Sequence, residues 1–186
     1  MALQEVLQIA ERLIALEAKQ LAAESDKKIN EINERMSAQM LGSSTAILRA
    51  IADVYKKQIE DRAAKVGDVL VSLLNASQFT YFTAAEIRAV REFANEQIGA
   101  EPPETLVSAI RLRAIEINRA NRAAEYENEL ASSQWGANEK LLARIDAYFL
   151  GKRDILRPLG KLLGRPFLVP TLTFVGGFLT RGCVPR

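Results

Sequence analysis

Between Glu104 and Leu150 the sequence repeats every seven residues. Val107, Ala114, Asn121, Asn128, Trp135, Leu142 and Phe149 form one series, and Ile110, Ile117, Ala124, Ala131, Asn138 and Ile145 a second, offset by three. Together they make an a/d seam, apolar at ten of thirteen positions and interrupted by three asparagines. A 3.5-residue period sustained this far predicts a partner helix along the whole length. At 1.5 Å per residue the helix would be about 70 Å long, well beyond the width of a small domain.

The first third of the chain keeps a different period. Leu3, Ile14, Ser25, Met36, Ile47 and Gln58 form one eleven-residue row, and Leu7, Ala18, Ile29, Met40, Ile51 and Arg62 the next. Ala10, Leu21, Ile32, Ser43, Val54 and Lys65 form a third, and the polar failures gather at the C-terminal end. Eleven residues over three turns predict a nearly straight or slightly right-handed helix arrangement. The phase survives Gly42-Ser43-Ser44-Thr45, so the first expectation is one helix over about 2–65, kinked near Gly42. A tight hairpin at Gly42 is the alternative.

Shorter elements separate the two long ones. Val66-Gly67-Asp68 reads as a junction, with Asp68 as a cap for a buried helix over about 68–76, less readily a strand. The aromatic cluster Phe79, Tyr81, Phe82 reads as a plug between long helices before it reads as a substrate pocket. Thr83-Ala84-Ala85-Glu86 is a capping box that opens a helix over about 83–98, with Ile87, Val90, Ala94 and Ile98 on one face and Gly99 at its end. Ala100-Glu101-Pro102-Pro103 predicts a rigid elbow, with Pro103 suited to starting the next helix. Gly136 either allows a close backbone crossing or is simply tolerated.

After Leu150 the pattern changes. Gly151 is expected to end the long helix. Arg153, Arg157, Lys161 and Arg165 then recur every fourth residue beside Lys152, as a short basic amphipathic element interrupted by Pro158, Gly160 and Gly164. Pro166–Thr180 carries no charge, contains Phe167, Phe174 and Phe178, and is too short and broken to span a membrane as a helix. The expected organisation is therefore all-α: an elongated helical domain over 1–150, forming coiled-coil-like hairpins in an oligomer, and a C-terminal arm over 151–186.

Charge sharpens this division. Residues 1–150 hold 18 Lys/Arg and 22 Asp/Glu, whereas 151–186 hold seven Lys/Arg against Asp154 alone. A basic arm of this kind suits an acidic neighbouring subunit, an anionic membrane surface or a groove on another protein. The start MALQEVLQIAERL carries acids early and reads as a helix, not a signal peptide.

Candidate chemistry is sparse. The 186 residues contain no histidine and one cysteine, Cys183, which removes the commonest general base and any intramolecular disulfide. There is no phosphate loop, nucleophile elbow or metal-ligand spacing, so no catalytic residue, cofactor or metal is expected. Glu125/Glu129 lie on a mixed-charge face that reads as solvated. Arg88, Arg91, Arg111, Arg113, Arg119 and Arg122 could form a basic face, but Glu116, Glu125 and Glu127 interleave with them. At most a non-specific contact with DNA is expected.

Association is the stronger expectation. Its candidate residues are Ile110, Ile117, Asn121, Asn128, Trp135, Asn138, Leu142, Ile145 and Phe149 on the oligomer seam. Lys152, Arg153, Arg157, Lys161, Arg165, Phe167, Phe174 and Phe178 are the candidates for membrane or partner docking. Asparagines on a seam either pair across the interface and set its register, or face solvent where the helices splay.

Residues 30–165 resemble a known family. The Ala/Asn/Gln/Arg/Glu-rich run AIEINRANRAAEYENELASSQWGANEKLLARID follows a Gly-Ser-Ser break and precedes a Gly-rich apolar tail. In composition and order of segments this is similar to the small internal virion proteins of short-tailed phages. The resemblance implies a non-enzymatic role in DNA ejection: ring-like assembly inside the capsid near the portal, and a 151–180 region that docks or acts on the host envelope. It carries no residue-level site. A helical membrane-active toxin or translocator, and a soluble coiled-coil scaffold or adaptor, are the readings from other classes.

Overall fold

A computed structural model describes residues 2–42, 44–77 and 81–163, and of 153–163 the backbone only. Its described residues are helical, with no strand among them: α1 (Leu3–Ala38), α2 (Thr45–Ala76), α3 (Ala84–Ile98), α4 (Glu104–Glu116) and α5 (Ala123–Leu163), with a single 3-10 turn at Ala120–Arg122. The chain divides into two compact units, Met1–Tyr148 and Phe149–Arg186. The first holds α1 to α4 and most of α5. In the second, 149–163 are the last residues of α5.

Cross-helix partners set the directions within the first unit. Lys65 bonds Glu17 at 3.0 Å, so α1 and α2 form an antiparallel hairpin. Arg62 on α2 donates to the Gln97 carbonyl at 2.7 Å, close to the end of α3, so α3 returns along α2. On α5, Gln134 meets Ile98 and Gly99, Asn138 meets Asn95, and Asp146 meets Arg91, a descending order that makes α5 antiparallel to α3. Lys56 with Glu129 and Asp68 with Arg144 rise together, so α5 runs parallel to α2. Between these neighbours α2 buries Leu70 and Leu74, while Asp68 and Ser72 on the same stretch stay exposed, so the helix keeps one face to solvent.

The core follows an eleven-residue rhythm on both long inner helices. On α2 the buried rows are Leu48/Ile59/Leu70, Ala52/Ala63/Leu74 and Tyr55/Val66. On α5 they are Ala123/Gln134/Ile145, Tyr126/Ala137 and Leu130/Leu141. A 3.67-residue period keeps such rows on one face of a nearly straight helix. Along α1 the expected rows also point inward, with Ile14 and Ser25 buried and Leu3 and Met36 half-buried.

Four expected boundaries are corrected. The helix over 2–65 is two helices, as the hairpin alternative has it. The amide of Leu41 donates to the Met36 carbonyl at 2.8 Å and that of Met40 to Ser37 at 3.0 Å, with Met40 at φ 57°. This is a Schellman stop built on a methionine in place of glycine. The junction at 66–68 is the interior of α2: Gly67 is buried, and a methyl there would stand 3.2 Å from Leu141 Cδ1 and from Arg144 Nη1. Glycine at this position lets α5 approach α2 closely.

The long helix over 104–150 is broken at 117–122. Asn118 sits at φ 56°, its amide donating to Ile115 at 2.9 Å and that of Arg119 to Ala114 at 2.7 Å, a second Schellman stop. In the other direction α5 does not end at Gly151 but continues to Leu163, through Pro158 and Gly160. Other expectations stand where they were placed. Thr83 and Glu86 form the reciprocal capping box, and Gly99 at φ 80°, ψ 159° ends α3 in a conformation that glycine alone adopts freely. Phe82 is buried edge-to-face against Tyr148, centroids 6.4 Å apart, while Tyr81 is exposed and Phe79 lies outside the described residues.

Gly136 meets nothing within 4 Å of an added Cβ, so no close crossing requires it. Gly136→Ala is therefore expected to stabilise the fold by about 1 kcal/mol through helix propensity alone. Urea denaturation checks this, and an unchanged or lower midpoint would mean that the position is constrained by something else.

Candidate functional site

The seam residues separate once α5 is placed by its eleven-residue rows. Ile110 and Ile117 are buried at the α4 end, and Ile145 and Phe149 are buried toward the other. Between them Asn121 and Asn128 are exposed, Asn138 and Leu142 half-buried, and Trp135 is 69 % exposed. Within one chain the stripe is thus divided into a buried part on α4, an exposed flank on α5 and a buried end at Ile145 and Phe149. The break at 117–122 turns the stripe off the inner face, and a drift of about 20° per heptad along α5 brings it from exposed Ala124 and Ala131 through Asn138 to buried Ile145.

Where it leaves, it borders a groove. Trp135, Asn138 and Leu142 lie at i, i+3 and i+7 on one flank of α5, and the last two line an open cleft of about 560 Å³ against α3. Ile87, Arg88, Arg91 and Asn95 supply its other wall. The Asn138 amide Nδ2 donates to Asn95 Oδ1 at 2.6 Å, and Arg91 lies 3.5 Å from Asp146. One of the three seam asparagines therefore has a partner across a helix interface, inside the same chain.

A second exposed set is made by Leu112 and Ile115 on α4, 62 % and 63 % exposed, and by Met40 and Leu41 at the α1–α2 turn. Arg113 donates to Asn33 Oδ1 at 3.4 Å, which puts the end of α4 against the last turns of α1. Both apolar pairs thus lie toward the same end of the bundle. The seven-residue reading passes over Leu112 and Ile115 because they occupy neither a nor d.

The arginines considered for nucleic acid are largely compensated. Arg111 grips Glu127 with Nε and Nη2 at 2.7 and 2.8 Å, Arg113 pairs with Glu116 at 2.6 Å, and Arg122 with Glu125 at 2.7 Å. Bidentate pairing with Arg111 holds the Glu127 carboxyl below its ordinary range, and the Thr83 backbone amide does the same for Glu86. Hydrogen bonding to Glu129 raises Lys56, with burial opposing it, while burial lowers Arg62 and raises Tyr55.

Because Glu86 and Glu127 bind protons less readily folded than unfolded, acid favours the unfolded chain. Stability is expected to stay level down to the ordinary glutamate value of 4.5 and to fall below it. Glu127→Gln should flatten part of that slope in thermal melts at a series of acidic pH values. A slope unchanged by the substitution would remove Glu127 from the account.

Sequence reasoning missed the buried polar groups that tie α3 down. Gln134 is 2 % exposed and donates through Nε2 to the carbonyls of Ile98 at 2.7 Å and Gly99 at 3.0 Å. With Arg62 on Gln97, it caps the C-terminal end of α3 from two other helices. The available signal was a glutamine centred on an otherwise apolar row between Ala123 and Ile145. Two smaller clefts are present among the described residues, one of about 210 Å³ between α1 and α2, bordered by Lys28, Asp53, Lys57 and Asp61, and one of about 180 Å³ between α2 and α5.

Among the described residues no cluster of acidic or sulfur side chains has metal-binding geometry, and no helix is long and apolar enough to cross a membrane. Of the docking candidates, Lys152 is half-buried. Arg153, Arg157 and Lys161 lie on α5 with side chains outside the description, and Arg165, Phe167, Phe174 and Phe178 fall outside the described residues. No protein-family model matches the chain, and no curated protein or solved structure shows significant similarity to it.

Proposed function

We propose that this chain is a non-enzymatic, virion-associated helical protein that acts as a homo-oligomer in phage DNA ejection or in the portal- and tail-proximal assembly. Its C-terminal arm docks on a partner protein or an anionic membrane. The reading is supported by one observation above all. The bundle fills its own core, yet Trp135 on the α5 flank and the pair Leu112 and Ile115 on α4 remain 62–69 % exposed, which leaves apolar surface for a partner to cover. The segment order of residues 30–165 and the basic arm give that surface its context.

The test combines sedimentation with liposome binding on the full chain. Association that rises with concentration, and binding to anionic but not neutral vesicles, are expected. Replacing Lys152, Arg153, Arg157, Lys161 and Arg165 with glutamine should abolish vesicle binding and leave the helical content intact. A strict monomer that ignores vesicles would overturn the proposal. Association without vesicle binding would favour the scaffold reading.

A further inference from the structure

Residues 104–145 carry two incompatible burial patterns. In the bent arrangement α5 buries its eleven-residue rows, and the seven-residue stripe is left on the flank at Asn121, Asn128 and Trp135. The stripe nevertheless runs through the break between α4 and α5 without losing phase: Val107, Ile110, Ala114 and Ile117 precede it, and Ala124, Ala131, Trp135, Asn138 and Leu142 follow. The break itself is made of Asn118, Arg119, Ala120, Asn121 and Arg122, with neither proline nor glycine. Nothing in that composition forbids a helix. What stops it is a non-glycine residue, Asn118, held at φ 56°, a conformation that side chains other than Asn, Asp and Gly seldom take.

We infer that α4 and α5 form a two-state element. Bent, they pack into the bundle of their own chain. Straightened through 117–122, they become one helix whose a/d stripe pairs with the same stripe of a second copy. Val107, Ile110, Ala114 and Ile117 serve both states, exchanging the core of their own chain for the partner's stripe. Asn121, Asn128 and Asn138 then face one another at fixed positions and set the register. Ala124 and Ala131 leave room for a close approach of the two helices. The Arg111–Glu127 clasp, at 2.7 and 2.8 Å, belongs to the bent state alone, because 16 residues of straight helix would hold those groups about 24 Å apart. The second copy is the fitting occupant because a stripe repeating every seven residues matches only a partner of equal period. The inference deepens the assembly proposed above and rests on it.

One position drives the equilibrium both ways. Asn118→Ala is strained at φ 56° and is the better helix former, whereas Asn118→Gly relaxes the bend and weakens the straight helix. Each should shift the straight-to-bent ratio about five- to tenfold, in opposite directions. Spin labels at Ser108→Cys and Ser132→Cys, in a Cys183→Ser background, read it by pulsed dipolar spectroscopy. The straight helix separates those positions by about 36 Å, while the bent one brings them within about two helix diameters. A long component that grows with concentration, is enhanced in Asn118→Ala and reduced in Asn118→Gly, and tracks dimer mass in sedimentation, is the expected result. A short distance at every concentration in Asn118→Ala overturns the switch. If that chain still self-associates, the assembly reading survives through another surface, whereas a strict monomer removes both.

Discussion

Ile145→Asp is expected to unfold the first unit of the chain outright. Ile145 is 1 % exposed and stands at the end of the buried row that begins at Ala123 and passes through Gln134. A carboxylate there would lose its water beside Leu141 and Phe149, which are also buried. Breaking a buried arrangement with an unpaired charge costs roughly 3–5 kcal/mol, and the lost packing of the isoleucine adds about 2–4. Domains of this size are stable by about 5–15 kcal/mol in all, so most or all of the margin disappears. Far-UV circular dichroism of the purified variant should show reduced helicity and no cooperative melt.

The contrast with its seam neighbours gives the experiment its force. Leu142 borders the α3–α5 cleft and Trp135 is mostly in water, so Leu142→Asp should cost distinctly less and Trp135→Asp roughly 0.5 kcal/mol or below. If instead all three variants keep their melts and lose only mass in solution, the seven-residue stripe, not the eleven-residue rows, is the packed face of the isolated chain. That outcome would displace the bundle described here.

How much of this was legible beforehand depended on whether a residue type names its own conformation. Thr83 and Glu86 do, since a hydroxyl and a carboxylate three residues apart have one obvious use at a helix start. Pro102-Pro103 and Gly99 do as well, so α3 and the elbow stood where expected. Met40 and Asn118 do not. Each occupies the left-handed position of a Schellman stop, but methionine carries no such signal, and asparagine within NRANR is equally at home in an exposed helix. The stop near Gly42 is therefore legible only as the alternative to a kinked helix, and the stop at Asn118 not at all.

Gly67 failed in the opposite direction. A glycine beside Asp68 resembles a junction, and only the arrival of Leu141 and Arg144 from 74 or more residues away shows why a side chain is missing there. The periods failed for a related reason. Seven and eleven differ by a small drift per turn, and Ile145 satisfies both, so a short apolar alphabet rich in alanine fits either. Deciding between them requires knowing which helix lies opposite. That information is non-local. The same ambiguity supports a second packing of residues 104–145, because the stripe is buried along α4, exposed at Asn121, Asn128 and Trp135, and still in register across the bend.

The cap on α3 offers the second large effect. Gln134→Leu keeps the volume and apolar fit of the row but removes the donor shared by the Ile98 and Gly99 carbonyls. Each acceptor left without a partner costs about 1–3 kcal/mol, partly offset by burying a more apolar side chain, so a net loss of about 2 kcal/mol is expected in urea denaturation. Arg62→Met takes the donor from Gln97 one residue earlier. Combined with Gln134→Leu it should deviate from additivity by 0.5 kcal/mol or more, as neighbouring caps on one helix end do, roughly within the range for residues in contact. Gln134→Glu separates hydrogen bonding from shape. At neutral pH its carboxylate would face two carbonyl oxygens in a dry site, worse than leucine, whereas the protonated acid can donate to one of them. Its folded pKa is therefore raised, its stability is highest in acid and lost as pH rises, and its pH profile should tilt against that of the parent chain, which loses stability in acid. If Gln134→Leu proves neutral and Gln134→Glu follows the parent profile, the glutamine does not cap α3.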